Sequence, residues 1–584
     1  MNCNCEKTSN KMKIKVFKFC LLLFSGLCFL PQAFANDMNW WPQQKAPETI
    51  AKLYGVRSPA DAMLAQSLSG LAAQAVNEDR FKEMVWIEDN RPDYMQWYAG
   101  LQDKLHLKES GKYQLWDLAK RYAEKGIIKG YVLYDYSADG MNSSVNIATV
   151  AAGQFQAMLI EASQQSKAKE LNLELLFDAR GKDYFWCFEN FKQKLNRNLL
   201  LTQSPTLPSM RDMAIAHKTM VLWDINEPFE TVLKWLEPGT AVMGWNKGDE
   251  KGHVGPVSVW GHFQTASDHA QNIPLLSAAN RNITIKQVKA CDPAKIDYSS
   301  KAKFVSFLMS DGDNVQWQMG RFAFNESFWA NPEHGKFPMG WSSCLAQLAQ
   351  VCPEAIDYLS ATQPDNSTLV EFSGGYFYPD LFAVNRSNRL EVLTKHARKL
   401  SFQMNRSGAR TLCFIVRDVN SPAAKEAYQV FANEIDGLVG MIALQYHPYS
   451  GGMGKVFWLT NRQGIEIPVL TAKYAIWKKA RYASGGSPEK IIKIVNADPN
   501  SHNYNLIAVH AWSMFKDAAD YNDQDKPSDL QAGLSPVAAG IKNLDSNAKI
   551  ISPEEMLWRI RMDYNSRQTQ NVISTMKNME SKKE

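Results

Sequence analysis

The stretch that decides the fold is Phe304-Val305-Ser306-Phe307-Leu308-Met309-Ser310-Asp311-Gly312-Asp313-Asn314. Its first six residues are mostly apolar β-formers, the pattern of a strand buried on both faces. Gly312 permits a sharp turn at the strand's end. Two carboxylates and an amide follow at once. A buried strand that runs into acids belongs to α/β architectures, where ligands sit beyond the carboxyl ends of the strands.

Working outward, the same pattern recurs. Strands are expected near 368–372, 411–416, 438–444, 467–471 and 505–509, with helices over 386–402, 423–435, 488–494 and 530–541. Upstream, strands fit 130–134, 173–177, 219–223 and 241–245, with helices over 113–125, 184–195 and 228–236. Alternation of this kind predicts an α/β protein. The expected architecture is a C-terminal TIM-like (β/α) barrel, complete or else incomplete and distorted, over residues 291–545. An α/β domain over 36–290 precedes it, and a polar helical tail over 546–584 follows. The polar, lysine-rich segment 286–303 reads as the linker between the halves.

The N-terminus reads as a secretory leader. Lys11, Lys13, Lys15 and Lys18 precede an apolar run from Phe19 to Leu30, and Ala33-Phe34-Ala35 is a small-x-small cleavage site. Met12 is an alternative start. Leu27 before Cys28 is too large for a lipoprotein signal, so cleavage after Ala35 is expected, with a secreted or periplasmic product. Residues 1–35 carry five lysines and Glu6, so the net charge falls from +5 to +1 on their removal. The mature chain therefore gives no electrostatic case for a nucleic-acid partner. No later segment is long and apolar enough to span a bilayer.

Five cysteines remain: Cys187, Cys291, Cys344, Cys352 and Cys413. None forms a C-x-x-C pair, which argues against a zinc ribbon or a thioredoxin motif. Cys344 and Cys352 either pair or, like the rest, serve as small buried hydrophobes. G-x-S-x-G, Walker and dinucleotide motifs are absent, which sets aside the commonest serine-hydrolase and nucleotide chemistries.

The polar groups at the strand ends form a set. The first strand offers Asp311, Asp313 and Asn314. The second contains Glu371 and runs into Ser373-Gly374-Gly375-Tyr376-Phe377-Tyr378-Pro379. Later ends carry Arg417-Asp418, Gln445-Tyr446-His447 and His510-Ala511-Trp512. In a parallel sheet they share one rim. Carboxylates supply acid, base or nucleophile, amides and imidazoles bind hydroxyls, and aromatic rings cover sugar faces. The catalytic candidates are Asp313 with Glu371, then Asp311 and Asp418. Asn314, Trp317, Trp341, Tyr376, Tyr378, Gln445, His447, His510 and Trp512 are the binding candidates.

Each has an ordinary alternative. Asp-Gly-Asp-Asn is also a common turn and helix cap. Glu371 equally fits a carboxylate bonded to loop amides, and Asp418 a cap before Ser421-Pro422. An EF-hand is disfavoured, because Val315 and Phe322 stand where ligands belong. A looser divalent site on Asp311 and Asp313 stays open, without which no cofactor is expected. His253, His262, Asp268 and His269 match no zinc spacing.

At this point the chain resembles the GxGYxYP putative glycoside hydrolases of secreted proteins. The namesake motif falls on 373–379, with Ser373 in place of the first glycine. Residues 310–314, Pro338-Met339-Gly340-Trp341 and His510-Ala511-Trp512-Ser513 also match, as do Gly261-His262 and the segment from Asp268 to Leu276. The resemblance covers roughly residues 80–520. It implies an exported two-domain protein with a barrel-like C-terminal domain that hydrolyses a poly- or oligosaccharide. The alternatives are a carbohydrate-binding protein without catalysis and a metal-dependent hydrolase using Asp311 and Asp313. Oligomeric state is not legible.

Overall fold

The computed structural model describes residues 38–136, 142–279, 284–480, 482–499, 504–515 and 532–580. The leader and its cleavage site lie outside these residues, as do 530 and 531 at the start of one expected helix.

Before residue 280 the described residues build three separate sheets, parallel throughout. β1 (Thr49–Tyr54) lies between β2 (Glu83–Ile87) and β3 (Lys108–Gln114). β4 (Gly130–Tyr134) lies between β5 (Ala157–Glu161) and β6 (Leu175–Asp178). The third sheet contains β7 (Leu199–Thr202), β8 (Met220–Leu222), β9 (Ala241–Gly244) and β10 (Phe263–Thr265), in the order β10-β9-β7-β8. A long helix, Pro59–Asn77, is buried from Met63 through Val76. Ser58 starts it by accepting a bond from the Asp61 amide at 3.1 Å, and Pro59 occupies the position where a helix tolerates proline.

The C-terminal half is one sheet. Its strands are β11 (Lys303–Met309), β12 (Met339–Ser343), β13 (Ser367–Phe372), β14 (Thr411–Val416), β15 (Gly440–Gln445), β16 (Val456–Thr460), β17 (Glu466–Thr471), β18 (Tyr474–Ile476), β19 (Gly485–Gly486), β20 (Tyr504–Val509) and β21 (Ala548–Ile550). Residues of β11 through β14 are all buried, and β11, β13 and β14 read accordingly as largely apolar runs. Among the described residues the order is β16-β17-β15-β14-β13-β12-β11-β20-β18-β19, with β21 added beside β11 and only β16 antiparallel.

This sheet curls as a half-barrel. No ladder among the described residues joins β17 to β18. Only Ala472 and Lys473 separate them, so they follow one another along the chain instead of lying side by side. β17 pairs with β15 and β18 with β20.

The amino ends of the strands are covered by the helix Pro553–Tyr564, which buries Met556, Leu557, Trp558 and Ile560. Glycines let it approach: a Cβ on Gly340 would lie 2.3 Å from Pro553, and one on Gly440 2.9 Å from Leu557. The start of the expected polar tail is thus part of the core. All five cysteines are free thiols, and Cys344 and Cys352 are buried at helix ends. No helix among the described residues is long and apolar enough to cross a membrane.

Candidate active site

The turn after β11 is shaped by close packing. Asp311 adopts a left-handed φ of 68°. Gly312 is required by proximity, since a Cβ there would fall 2.2 Å from the Ser342 carbonyl carbon on β12. The Ser342 hydroxyl joins the two strands, accepting from the Gly312 amide at 2.9 Å and donating to the Met309 carbonyl at 2.7 Å. Asn314 caps the helix Val315–Gly320 by accepting from the Trp317 amide at 3.1 Å. The stretch is therefore a capped turn, and it still carries two acids to the rim.

Those acids differ. Asp311 accepts from the Trp512 indole at 2.9 Å, from the Ala511 amide at 3.4 Å and from the Ser310 hydroxyl. Asp313 is partly exposed yet deeply surrounded. Burial pushes its pKa up to about 8, and the negative charges of Asp311 and then Glu250 add to the rise against its own backbone amide.

Glu250 has no counterpart among the sequence candidates. It opens the helix Glu250–Val259, capped by Asp249, which accepts from the Gly252 amide at 2.8 Å. This helix follows β9 in the third N-terminal sheet. The Tyr446 hydroxyl donates to the Glu250 carboxylate at 3.0 Å, so Glu250 faces the ends of the C-terminal strands from across the domain boundary. Its charge also reaches Tyr376, Tyr449 and His510. The one available signal was its place just beyond a strand end, as for every other rim residue.

Aromatic rings line the same rim. Tyr376 and Tyr378 lie 5.7 Å apart, Tyr378 and Tyr446 6.1 Å, and His447 and Trp477 5.0 Å. Trp477 stacks on His510 at 4.8 Å with 4° between planes, and Tyr449 stacks on Trp477 at 5.1 Å. Burial lowers the His510 pKa, opposed by Asp311 and Glu250, and Ser513 hydrogen-bonds its Nδ1 at 3.2 Å. Trp512 is 39% exposed and rests edge-on against the buried Trp317. Tyr446, Tyr449 and Trp477 were not singled out from the sequence.

The glycine–tyrosine motif joins the domains. The Tyr376 amide donates to the Gln264 carbonyl, and the Gln264 amide returns the bond, both at 2.8 Å. The loop thus pairs with the edge strand β10. The Tyr378 amide donates to the Ser258 hydroxyl at 3.0 Å. Gly374 and Gly375 have φ of 73° and 140°, and Cβ atoms there would meet Trp40 at 2.7 Å and Phe263 at 2.3 Å. Ser373, where the family name has glycine, takes a φ of 44° and donates its hydroxyl to the Gly375 carbonyl at 2.9 Å. Serine keeps the turn by bonding within it. Tyr376 and Tyr378 are both buried.

Other candidates fall elsewhere. Glu371 is fully buried, and its two oxygens accept from the Ala346 and Gly374 amides, each at 2.8 Å. Burial pushes its pKa up to about 7 and the two amides oppose that. Glu371 ties the motif loop to the helix Leu345–Val351. Glu371→Gln turns an amide group toward a backbone N–H and is expected to cost about 1–3 kcal/mol, read as a lower denaturation midpoint. Trp341 is core, packed on Phe322 and Trp329, with its indole donating to His334 at 3.3 Å. Asp418 is exposed and accepts from the Asn420 amide at 2.9 Å. Gln445 accepts from the Val419 amide at 3.4 Å.

His253 and His262 are buried and bonded to Gln264 and to the Leu233 carbonyl. No group of three His, Cys, Asp or Glu among the described residues is placed to hold a metal ion. The rim thus gathers Asp311, Asp313, His447, His510, Trp512 and the two motif tyrosines, opposite Glu250.

The geometry agrees with the comparisons. The model of the GxGYxYP putative glycoside hydrolase C-terminal domain matches residues 301–524. Models of the family's second and third N-terminal domains match 128–195 and 197–278. The chain belongs to the GxGYxYP family. A crystal structure described as a putative hydrolase from Bacteroides thetaiotaomicron VPI-5482 is similar, with a TM-score of 0.75 at 20% identity. The match covers 90% of this chain and 97% of that one, and at this identity it speaks for the fold. No curated protein matches.

Proposed function

We propose that the chain is a glycoside hydrolase acting on a poly- or oligosaccharide between the C-terminal rim and the helix that begins at Glu250. Asp313 carries this reading: an acid pushed up to about 8 by burial, Asp311 and Glu250, within the electrostatic reach of the Tyr376 and Tyr449 rings. A carboxyl still protonated at neutral pH gives its proton to the leaving glycosidic oxygen as the C–O bond breaks. Glu250, held by the Tyr446 hydroxyl, is the second carboxylate and takes the proton of the water that adds to the anomeric carbon. Asp311 keeps Asp313 protonated in the resting protein, and the exposed Trp512 offers its ring to a sugar. Glu371 holds the motif loop in place. By the leader at 1–35, the protein acts in the periplasm or outside the cell.

The test is release of new reducing ends from a panel of poly- and oligosaccharides. Turnover is expected, and it is expected to survive a chelator. Binding without turnover across the panel would instead make the protein a non-catalytic carbohydrate binder. Turnover abolished by the chelator would favour a metal-dependent hydrolase.

A further inference from the structure

Arg417, at the end of β14, has no role in the chemistry above. Its backbone is fixed: its amide and that of Asp418 donate to Asp380, at 3.0–3.1 Å. Its guanidinium lies between two rings of the rim, 5.4 Å from the centre of Tyr378 and 5.1 Å from that of Tyr446. The residue is half-buried, and its Nη1 is buried without a hydrogen-bond acceptor. Arg417 forms no ion pair among the described residues, and its neighbour Asp418 turns to Asn420 instead.

This arrangement is uncommon. Charges withdrawn from water are normally paired with a counter-charge. Ring faces attract a guanidinium, but they offer no anion to its in-plane N–H groups: Nη1 has no acceptor, and Tyr378 supplies only a neutral hydroxyl. Those donors form a fork that suits the two oxygens of a carboxylate or sulfate. The setting sharpens the point. Tyr446, one of the flanking rings, donates to Glu250, and Tyr376 links Tyr378 to the field of Asp313. The rim is thus rich in negative charge at its reacting end, and the Arg417 guanidinium lies a tyrosine away. An anionic sugar would be repelled by Asp311 and Glu250 and received by Arg417, which fixes which sugar lies where.

We propose that the rim site takes an acidic saccharide and that Arg417 binds the oxyanion substituent, carboxylate or sulfate, of one of its sugars. The proposal rests on the saccharide reading above and adds the substrate class. Arg417 is a binding residue in it and touches no reacting atom.

The test uses the full chain carrying Asp313→Asn, so that ligand is held without turnover, and calorimetric titration with paired probes. Oligogalacturonides are compared with their carboxyl-reduced forms, and chondroitin sulfate oligosaccharides with their desulfated forms. At least one anionic probe is expected to bind about tenfold or more tightly than its neutral partner. The pair that shows the difference identifies carboxylate or sulfate. Arg417→Met is expected to erase that preference. Arg417→Lys is expected to keep only part of it, because the fork is lost while the charge stays. Thermal unfolding of each variant checks that the fold is intact, and the lysine variant serves if the methionine one unfolds.

Equal binding of anionic and neutral probes, or a preference that survives both Arg417 variants, overturns the proposal and leaves the saccharide reading standing. If no saccharide of either kind binds, the saccharide reading fails and this one with it.

Discussion

Asp313→Asn is expected to lower kcat by about 10²–10⁴-fold while substrate binding stays within a few-fold of wild type. The amide keeps the size of the side chain and its place in the turn after β11, and it removes the proton that the leaving oxygen needs. The same substitution is expected to stabilise the protein. Below about pH 4, near the ordinary aspartate value of 3.8, Asp313 is protonated in the folded and unfolded chains alike. Above it the unfolded chain ionises while the folded one holds its proton until about pH 8. The folded state then binds more protons, so stability falls as pH rises through that window. Asparagine removes this slope. The expected gain is on the order of 1–2 kcal/mol at pH 8 and vanishes near pH 4. Denaturant midpoints at the two pH values measure it. A group that supports catalysis at the expense of stability gives this pair of effects, whereas a turn-forming aspartate would lose stability on substitution.

Gly375→Ala is expected to do the most damage to the fold. Its φ of 140° is one that side-chain-bearing residues rarely adopt, and the new Cβ would lie 2.3 Å from the buried ring of Phe263. Strain and overpacking together are expected to cost about 2–5 kcal/mol. Phe263 belongs to β10, so the damage falls where the motif loop pairs with the third N-terminal sheet. Hydrogen exchange at the Gln264 and Tyr376 amides, which hold that pairing at 2.8 Å, is expected to accelerate first. Activity is expected to fall with it, because Glu250 reaches the rim from the same side of the boundary. Phe263→Leu in the same chain is expected to recover part of the loss. Gly255→Ala, where a Cβ meets open space, is the control and is expected to change little.

The C-terminal sheet was largely legible in the chain. Strands β11, β13, β14, β17 and β20 fall within a residue of where their apolar runs place them, because strands buried on both faces leave an unbroken signal. β12 was missed. Its sequence, Met-Gly-Trp-Ser-Ser, has a glycine for the approach of Pro553 and serines that bond to Gly312 in the turn and to Gln318 in the helix after it, so tertiary contact replaces apolar character. β1, β2, β3, β5, β7 and β10 were also passed over, although the equally short β4, β6, β8 and β9 of the same sheets were placed.

In the site, the acid turn could be read because it is local. What could not be read is where its partners sit. Glu371 and Asp418 occupy strand ends as favourable as that of Asp313, and only the fold shows two backbone amides on the first and an exposed turn on the second. Glu250 lies 63 positions before Asp313 in another sheet, and no spacing rule connects them. The glycine–tyrosine motif had two readings, local packing or ligand binding. The structure adds a third job, the pairing of two domains.

The central claim is that Asp313 holds a proton at neutral pH on the rim that faces Glu250. Difference infrared titration of wild type against Asp313→Asn tests it without any substrate. The account predicts a protonated carboxyl band in the wild type that persists at pH 7, fades around pH 8, and is missing from the variant. A band already lost near pH 4 would show an ordinary ionised aspartate and contradict the account.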